Sequence, residues 1–143
     1  MARISLIGVA GSPARMISPI IATPFAPIEI GEADYFAFDF MADVGAATIV
    51  STSWSCGLGP YETAIDPMPQ SRVFSVSPQI AIQVRSPMDG SLQTRTGAFS
   101  VALIGGMPAS AAGGNYVLEA TANLSDGRVL KLNSTVQCKL PGP

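Results

Sequence analysis

The alternation in residues 116–140 constrains the fold more than any other feature of the sequence. Tyr116, Leu118, Ala120, Ala122 and Leu124 share one side of a period-two run, and Leu130, Leu132, Val136 and Cys138 share one side of a second. Between the runs stands Ser125-Asp126-Gly127-Arg128. An Asp-Gly pair in that position makes a tight hairpin turn, because the turn needs positive φ. Strand residues two apart face the same way, so each run offers one apolar face for burial.

The same period recurs upstream. Tyr35-Phe36-Ala37-Phe38-Asp39-Phe40 is aromatic-rich and bounded by acidic residues, which suits a first strand. Thr48 to Cys56 alternates, and the side carrying Val50, Trp54 and Cys56 is expected to face the core. Gln79 to Arg85 sets Ile80, Ile82 and Val84 opposite Gln79, Ala81, Gln83 and Arg85. Phe99, Val101 and Leu103 alternate with Ser100 and Ala102 before the turn signal Gly105-Gly106. No segment of useful length carries a helical period. The expected class is all-β, an antiparallel β-sandwich spanning residues 34–143.

Residues 1–33 are different. Pro13, Pro19, Pro24 and Pro27 forbid a continuous helix or a central strand and favour extended backbone. Fully extended, such a segment reaches about 100 Å, against a radius of gyration of about 14 Å for the remainder. The reading is an extended, proline-rich N-terminal arm whose isolated apolar residues seek burial on a partner subunit. The candidate contacts are Ile4, Leu6, Ile7, Ile17, Ile20, Ile21 and Phe25. The competing reading wraps the arm over its own domain.

Composition narrows the function classes. The 143 residues suffice for one domain, and only 13% are charged against about a quarter in typical domains. A net charge of −2 argues against nucleic acid as a partner, since phosphate rewards a basic surface. The chain has no histidine, which removes Ser-His and Cys-His catalysis and histidine metal sites. The apolar stretch Ile4 to Ala10 falls far short of the ~20 residues of a membrane-spanning helix. One preceding positive charge, Arg3, and the interruption at Pro13 also argue against a signal peptide.

Candidate sites thin out on inspection. Cys56 and Cys138 fit no zinc or redox spacing, and both fall on expected inward faces as small buried side chains. Asp34, Asp39 and Asp43 lack the glycine and terminal glutamate of a calcium loop. The glycine pairs at 105–106 and 113–114 form no phosphate-cradling motif. Asn123 and Asn133 head two sequons, but both lie in or near strands. Trp54 reads as core rather than as a ligand platform. No catalytic residue, metal site or cofactor is expected. The stretch Pro60 to Pro78 is the least regular part of the chain, and Met68, beside two prolines, suits an adaptable contact surface.

Several of these features in order resemble a known family. Phe38-Asp39-Phe40, then Ala47-Thr48-Ile49-Val50-Ser51-Thr52-Ser53-Trp54, then Gly113-Gly114-Asn115-Tyr116-Val117-Leu118 and Ser125-Asp126-Gly127-Arg128, are similar to small virion proteins of tailed bacteriophages, the phage fiber-tail adaptor proteins. The matches fall within Phe38–Trp54 and Val101–Cys138. The resemblance implies an immunoglobulin-like sandwich and a non-enzymatic role linking tail fibers to the tail or the head-tail connector. Its partners would be other virion proteins, met as multiple copies in a symmetric ring. Two alternatives stay open: a capsid cement or decoration protein stapling capsomers, and a secreted carbohydrate-binding sandwich. The proline-rich arm and the segment from Gly57 to Arg95 depart from the family pattern, so the resemblance names no interface residue.

Overall fold

A computed structural model describes residues 2–4, 20–21, 25–85 and 88–140. Its strands are β1 (Ala2–Ile4), β2 (Ile20–Ile21), β3 (Ile28–Glu29), β4 (Ala33–Asp39), β5 (Ile49–Leu58), β6 (Val73–Arg85), β7 (Leu92–Gly105), β8 (Asn115–Leu124) and β9 (Val129–Lys139). One helical turn, α1 (Met41–Val44), joins β4 to β5. Two sheets pack as a sandwich. The first has the order β1-β4-β7-β6, and the second runs β2-β9-β8-β5 with β3 also paired to β9. The β8–β9 hairpin turns at Asp126-Gly127 as expected, with Gly127 at φ 90°.

Alternation decides what each strand buries. Phe36, Phe38 and Phe40 enter the space between the sheets and meet Trp54, Tyr116, Leu118, Leu132 and Val136. Phe38 and Trp54 stack with centroids 5.1 Å apart. The indole N–H of Trp54, on β5, donates to Ser100 Oγ on β7 at 2.6 Å, and Thr52 shares a hydrogen bond with the same hydroxyl. This polar bridge ties one sheet to the other and satisfies the only indole donor in the chain. β1 pairs with β4, yet its Cα atoms also come within 8 Å of those of β6. The first sheet therefore curls around its other face, where Ala37, Ile82, Phe99 and Val101 form a second, smaller buried cluster.

The described residues ahead of β4 pair with the chain's own sheets, and Phe25 departs from the expectation of a partner contact. β2 runs parallel to β9 beside Leu132 and Asn133, and β3 runs parallel to it beside Cys138 and Lys139. Between them the Phe25 N–H donates to the Thr135 carbonyl at 3.0 Å. Phe25 and Ile28 belong to the chain's own core, at 6% and 0% exposure. An edge strand needs partners for its backbone, and Ile20, Ile21, Phe25, Ile28, Glu29 and Ile30 supply them to β9.

Two facing assignments also change, both at irregularities in pairing. The β5–β8 register shifts between Ile49 and Ser51, and this turns Val50 out to solvent. At the β6–β7 register shift Gly97 and Ala98 of β7 stand opposite Ile80, which is 82% exposed while Ile82 is buried. A bulge places two residues opposite one and breaks the period on which sequence reasoning depends. The irregular stretch is also shorter than expected, since Val73–Pro78 is already strand. Pro78 is tolerated because β6 lies at the sheet edge.

Gly105 marks the closest backbone approach. A Cβ there would lie 2.3 Å from both Ala33 Cα and the Glu32 carbonyl oxygen. Both obstacles are backbone, so a side chain forces β4 away from β7. Gly105→Ala is expected to cost about 3 kcal/mol, read as a lower urea midpoint at unchanged slope.

Candidate protein-interaction site

The strand directions give the sandwich two ends. One holds α1, the Asp126-Gly127 turn and the start of β5. The other holds the start of β4, residues 106–114 and the connection from β5 to β6. That connection contains Met68, the contact residue expected from sequence, and it is the best candidate for a functional surface.

Its conformation is fixed by one buried carboxylate. The Asp66 side chain has no exposure and accepts two hydrogen bonds from Arg72, Nε to Oδ2 at 2.9 Å and Nη2 to Oδ1 at 2.8 Å. The Tyr116 hydroxyl donates to Oδ2 at 2.6 Å, and the Met68 N–H donates to Oδ1 at 3.0 Å. Arg72 Nη1 continues to the Gly106 carbonyl at 3.0 Å. The Arg72 guanidinium is the main reason that the Asp66 carboxyl falls from 3.8 to about 2, helped by Tyr116 and the Met68 amide against the cost of burial. Burial, and then the Asp66 carboxylate, push the Tyr116 phenol up.

Further pins hold the rest of the segment. Gln70 docks its side-chain amide on the edge of β5, donating to the Trp54 carbonyl at 2.8 Å and accepting from the Cys56 N–H at 2.9 Å. One glutamine thereby imitates a strand partner for β5. Ile65 is held on both sides by Ser110, its N–H bonded to the Ser110 carbonyl at 3.1 Å and its own carbonyl accepting from Ser110 Oγ at 2.7 Å.

This rigid support displays apolar side chains. Tyr61 is 95% exposed, and Ile65 and Met68 are also exposed. A braced backbone has little conformational entropy left to lose when a partner covers these side chains. Of the expected contacts, the site brings in Met68. Phe25 is core, and Ile4, Ile20 and Ile21 lie in strands paired to the chain's own sheets, with only their backbone described. Leu6, Ile7 and Ile17 lie outside the described residues. Tyr61, Ile65, Asp66 and Arg72 were not legible as a group. The only hint was Asp66-Pro67-Met68-Pro69, where prolines bracket a turn.

Other residue clusters have structural work. Asp39 Oδ1 accepts the Met41 N–H at 2.9 Å, and Asp39 faces Arg95 at 3.8 Å. Trp54 is buried and offers no stacking platform. Among the described residues no group of three or more Cys, Asp or Glu converges as metal ligands. Cys56 and Cys138 are buried free thiols. Burial, reinforced by the nearby Asp66 charge against the weaker pull of Arg72, pushes Cys56 up to about 12. A maleimide at pH 8 should label both thiols more than about a thousandfold more slowly in the native protein than in urea, as followed by mass spectrometry. Comparable rates would contradict their burial.

No family model matches the chain, and no curated protein or solved structure matches it significantly.

Proposed function

We infer that the chain is a non-enzymatic structural virion protein of a tailed phage, an immunoglobulin-like adaptor that joins tail fibers to the tail or head-tail connector. The observation that carries the reading is the braced apolar surface of Tyr61, Ile65 and Met68 at one end of a small sandwich. Such a surface suits stable protein contact, because complementarity is prepared before the partner arrives.

The immunoglobulin-like assignment draws support from strand order. Immunoglobulin sandwiches place strands A, B, E and D in one sheet and C, F and G in the other. Here β1, β4, β7 and β6 stand in the first order, and β5, β8 and β9 stand in the second. Trp54 occupies the strand that carries the buried tryptophan of such domains, and Tyr116 lies at the start of the strand that carries their corner tyrosine. The chain departs from that plan in two ways. Antibody domains tie the strands matching β4 and β8 with a disulfide, whereas here a hydrogen bond from Trp54 on β5 to Ser100 on β7 crosses between the sheets; and Tyr116 donates to the Asp66 carboxylate rather than to nearby backbone.

Copy number tests the role. Quantitative mass spectrometry of purified virions should find this chain at a small-ring stoichiometry against the major capsid protein. A count rivalling the capsid protein would move it to the shell as a decoration protein. Absence from particles would discard the virion reading.

A further inference from the structure

Unpaired backbone at the rim of a sheet invites another strand, and the rims of this sandwich are unevenly covered. β9 is paired along its outer side by β2, Phe25 and β3. Gln70 occupies the edge of β5 at Trp54 and Cys56. β6 ends the first sheet, and among the described residues no strand pairs with its outer side. Long native edges are blunted by charged side chains, yet β6 carries none from Val73 to Val84.

Pro78 fixes which backbone groups face outward. Its ring nitrogen points away from β7, where it costs no ladder bond. Backbone direction alternates along a strand, so Val76 and Ile80 also turn their N–H and C=O groups outward, and Pro78 its C=O. Two hollows flank this stretch. On the core side lies a groove of about 520 Å³ lined by Val44, Ala47, Ile49, Pro78, Ile80 and Ala98. On the outer face lies a trough of about 470 Å³ lined by Ser75, Ser77, Gln79 and Gln83 with Tyr35 and Val101. No described residue that lines either hollow carries a charge.

We propose that β6 accepts one strand from a partner protein: an extended, uncharged segment of about five residues, with apolar and small polar side chains in alternation. Each observation selects one property of that occupant. The outward groups of Val76, Pro78 and Ile80 call for a second extended backbone, which alone meets them at strand spacing. Side chains of an added strand fall alternately on its two faces. One set therefore enters the apolar groove, and the other lies over Ser75, Ser77 and Gln79. A charge in either set would lose water and find no counter-charge. A small apolar molecule would fill the groove and leave the edge unbonded, and a helix has no free backbone to offer along its length.

The edge and its hollows stand apart from the adaptor reading, and the test leaves the virion copy number untouched. The isotopically labelled full chain is titrated with the peptide acetyl-Ser-Val-Thr-Val-Ser-Val-Thr-Lys-Lys-amide up to about 1 mM and followed by NMR. The two lysines lie beyond the alternating run and keep the peptide in solution. Binding should slow hydrogen exchange at the Val76 and Ile80 amides at least about tenfold. A peptide of the same composition with its valines contiguous should bind at least about tenfold more weakly. Ile80→Lys, at an exposed position on the groove rim, should weaken binding to a similar extent while the fold persists. Backbone N-methylation separates strand pairing from side-chain docking, because only alternate amides of an added strand face the edge. Methylating the valines, or instead the serines and threonines, should weaken binding in one case and spare it in the other. No binding of the alternating peptide, or equal binding of both methylated forms, would overturn the proposal. Protection of Val76 and Ile80 that rises with protein concentration in the absence of peptide would give the edge to a second copy and overturn it too.

Discussion

Asp66→Ala is expected to destabilise the fold by roughly 3–5 kcal/mol, because it strips a buried ion pair of one partner. Four donor groups converge on this carboxylate: the Arg72 Nε and Nη2, the Tyr116 hydroxyl and the Met68 amide. Alanine leaves the largely covered Arg72 without its counter-charge and leaves a buried phenol without an acceptor. Each unmet group costs about 1–3 kcal/mol. Replacing both charged partners by apolar side chains of similar volume should cost less than Asp66→Ala alone, as expected when the penalty lies in the orphaned charge. Urea unfolding of the two variants checks this order, and the reverse order would assign the stability to packing.

The same carboxylate makes stability depend on acid. Its folded pKa, about 2, lies below the unfolded value of 3.8. The contribution is therefore complete above pH 4 and is lost as pH falls through about 2. Its size is on the order of 2 kcal/mol. Asp66→Asn should flatten the stability profile between pH 4 and pH 2 relative to the parent. An unchanged acid slope would mean that Asp66 is not the group being titrated.

How much of this could be read in advance follows from the range of each signal. β8 and β9 were legible because a local turn fixes their register and each run is unbroken. The Tyr116 face and the Leu132 face are buried as the alternation implied. The exposure of Val50 and Ile80 was not legible, because each sits at a bulge, in β5 itself or in the facing β7, that the alternation does not announce. Asp66 and Tyr116 are 50 residues apart. Nothing between them in the sequence announces a hydrogen bond, which exists only once β5, β6 and β8 have been placed. Phe25 misled for a related reason. Scattered apolar residues call for burial, and a segment ahead of the first core strand can find it against any free edge of its own sheets. Reading Phe25 as a partner contact overlooked the edge of β9.

That edge leads to the second large effect: deletion of residues 1–28 should leave the chain without a stable fold. Phe25 packs edge-on against Phe36 and Phe38, with centroids 5.1 and 5.2 Å away. Truncating a buried phenylalanine to alanine costs about 3–5 kcal/mol, and a buried isoleucine about 2–5 kcal/mol. The two losses share neighbours and need not add. The deletion also exposes Phe36 and Phe38 and strips β9 of its pairing at Leu132, Asn133 and Cys138. The combined loss rivals the whole net stability of a domain, about 5–15 kcal/mol. Phe25→Ala and Ile28→Ala singly should each lower the urea midpoint, whereas the deletion should abolish the cooperative transition. An arm that served only a partner would behave otherwise, because its removal would leave a folded monomer defective only in assembly. A truncated chain that unfolds cooperatively within about 1 kcal/mol of the parent would return the segment to that role and detach Phe25 from the core.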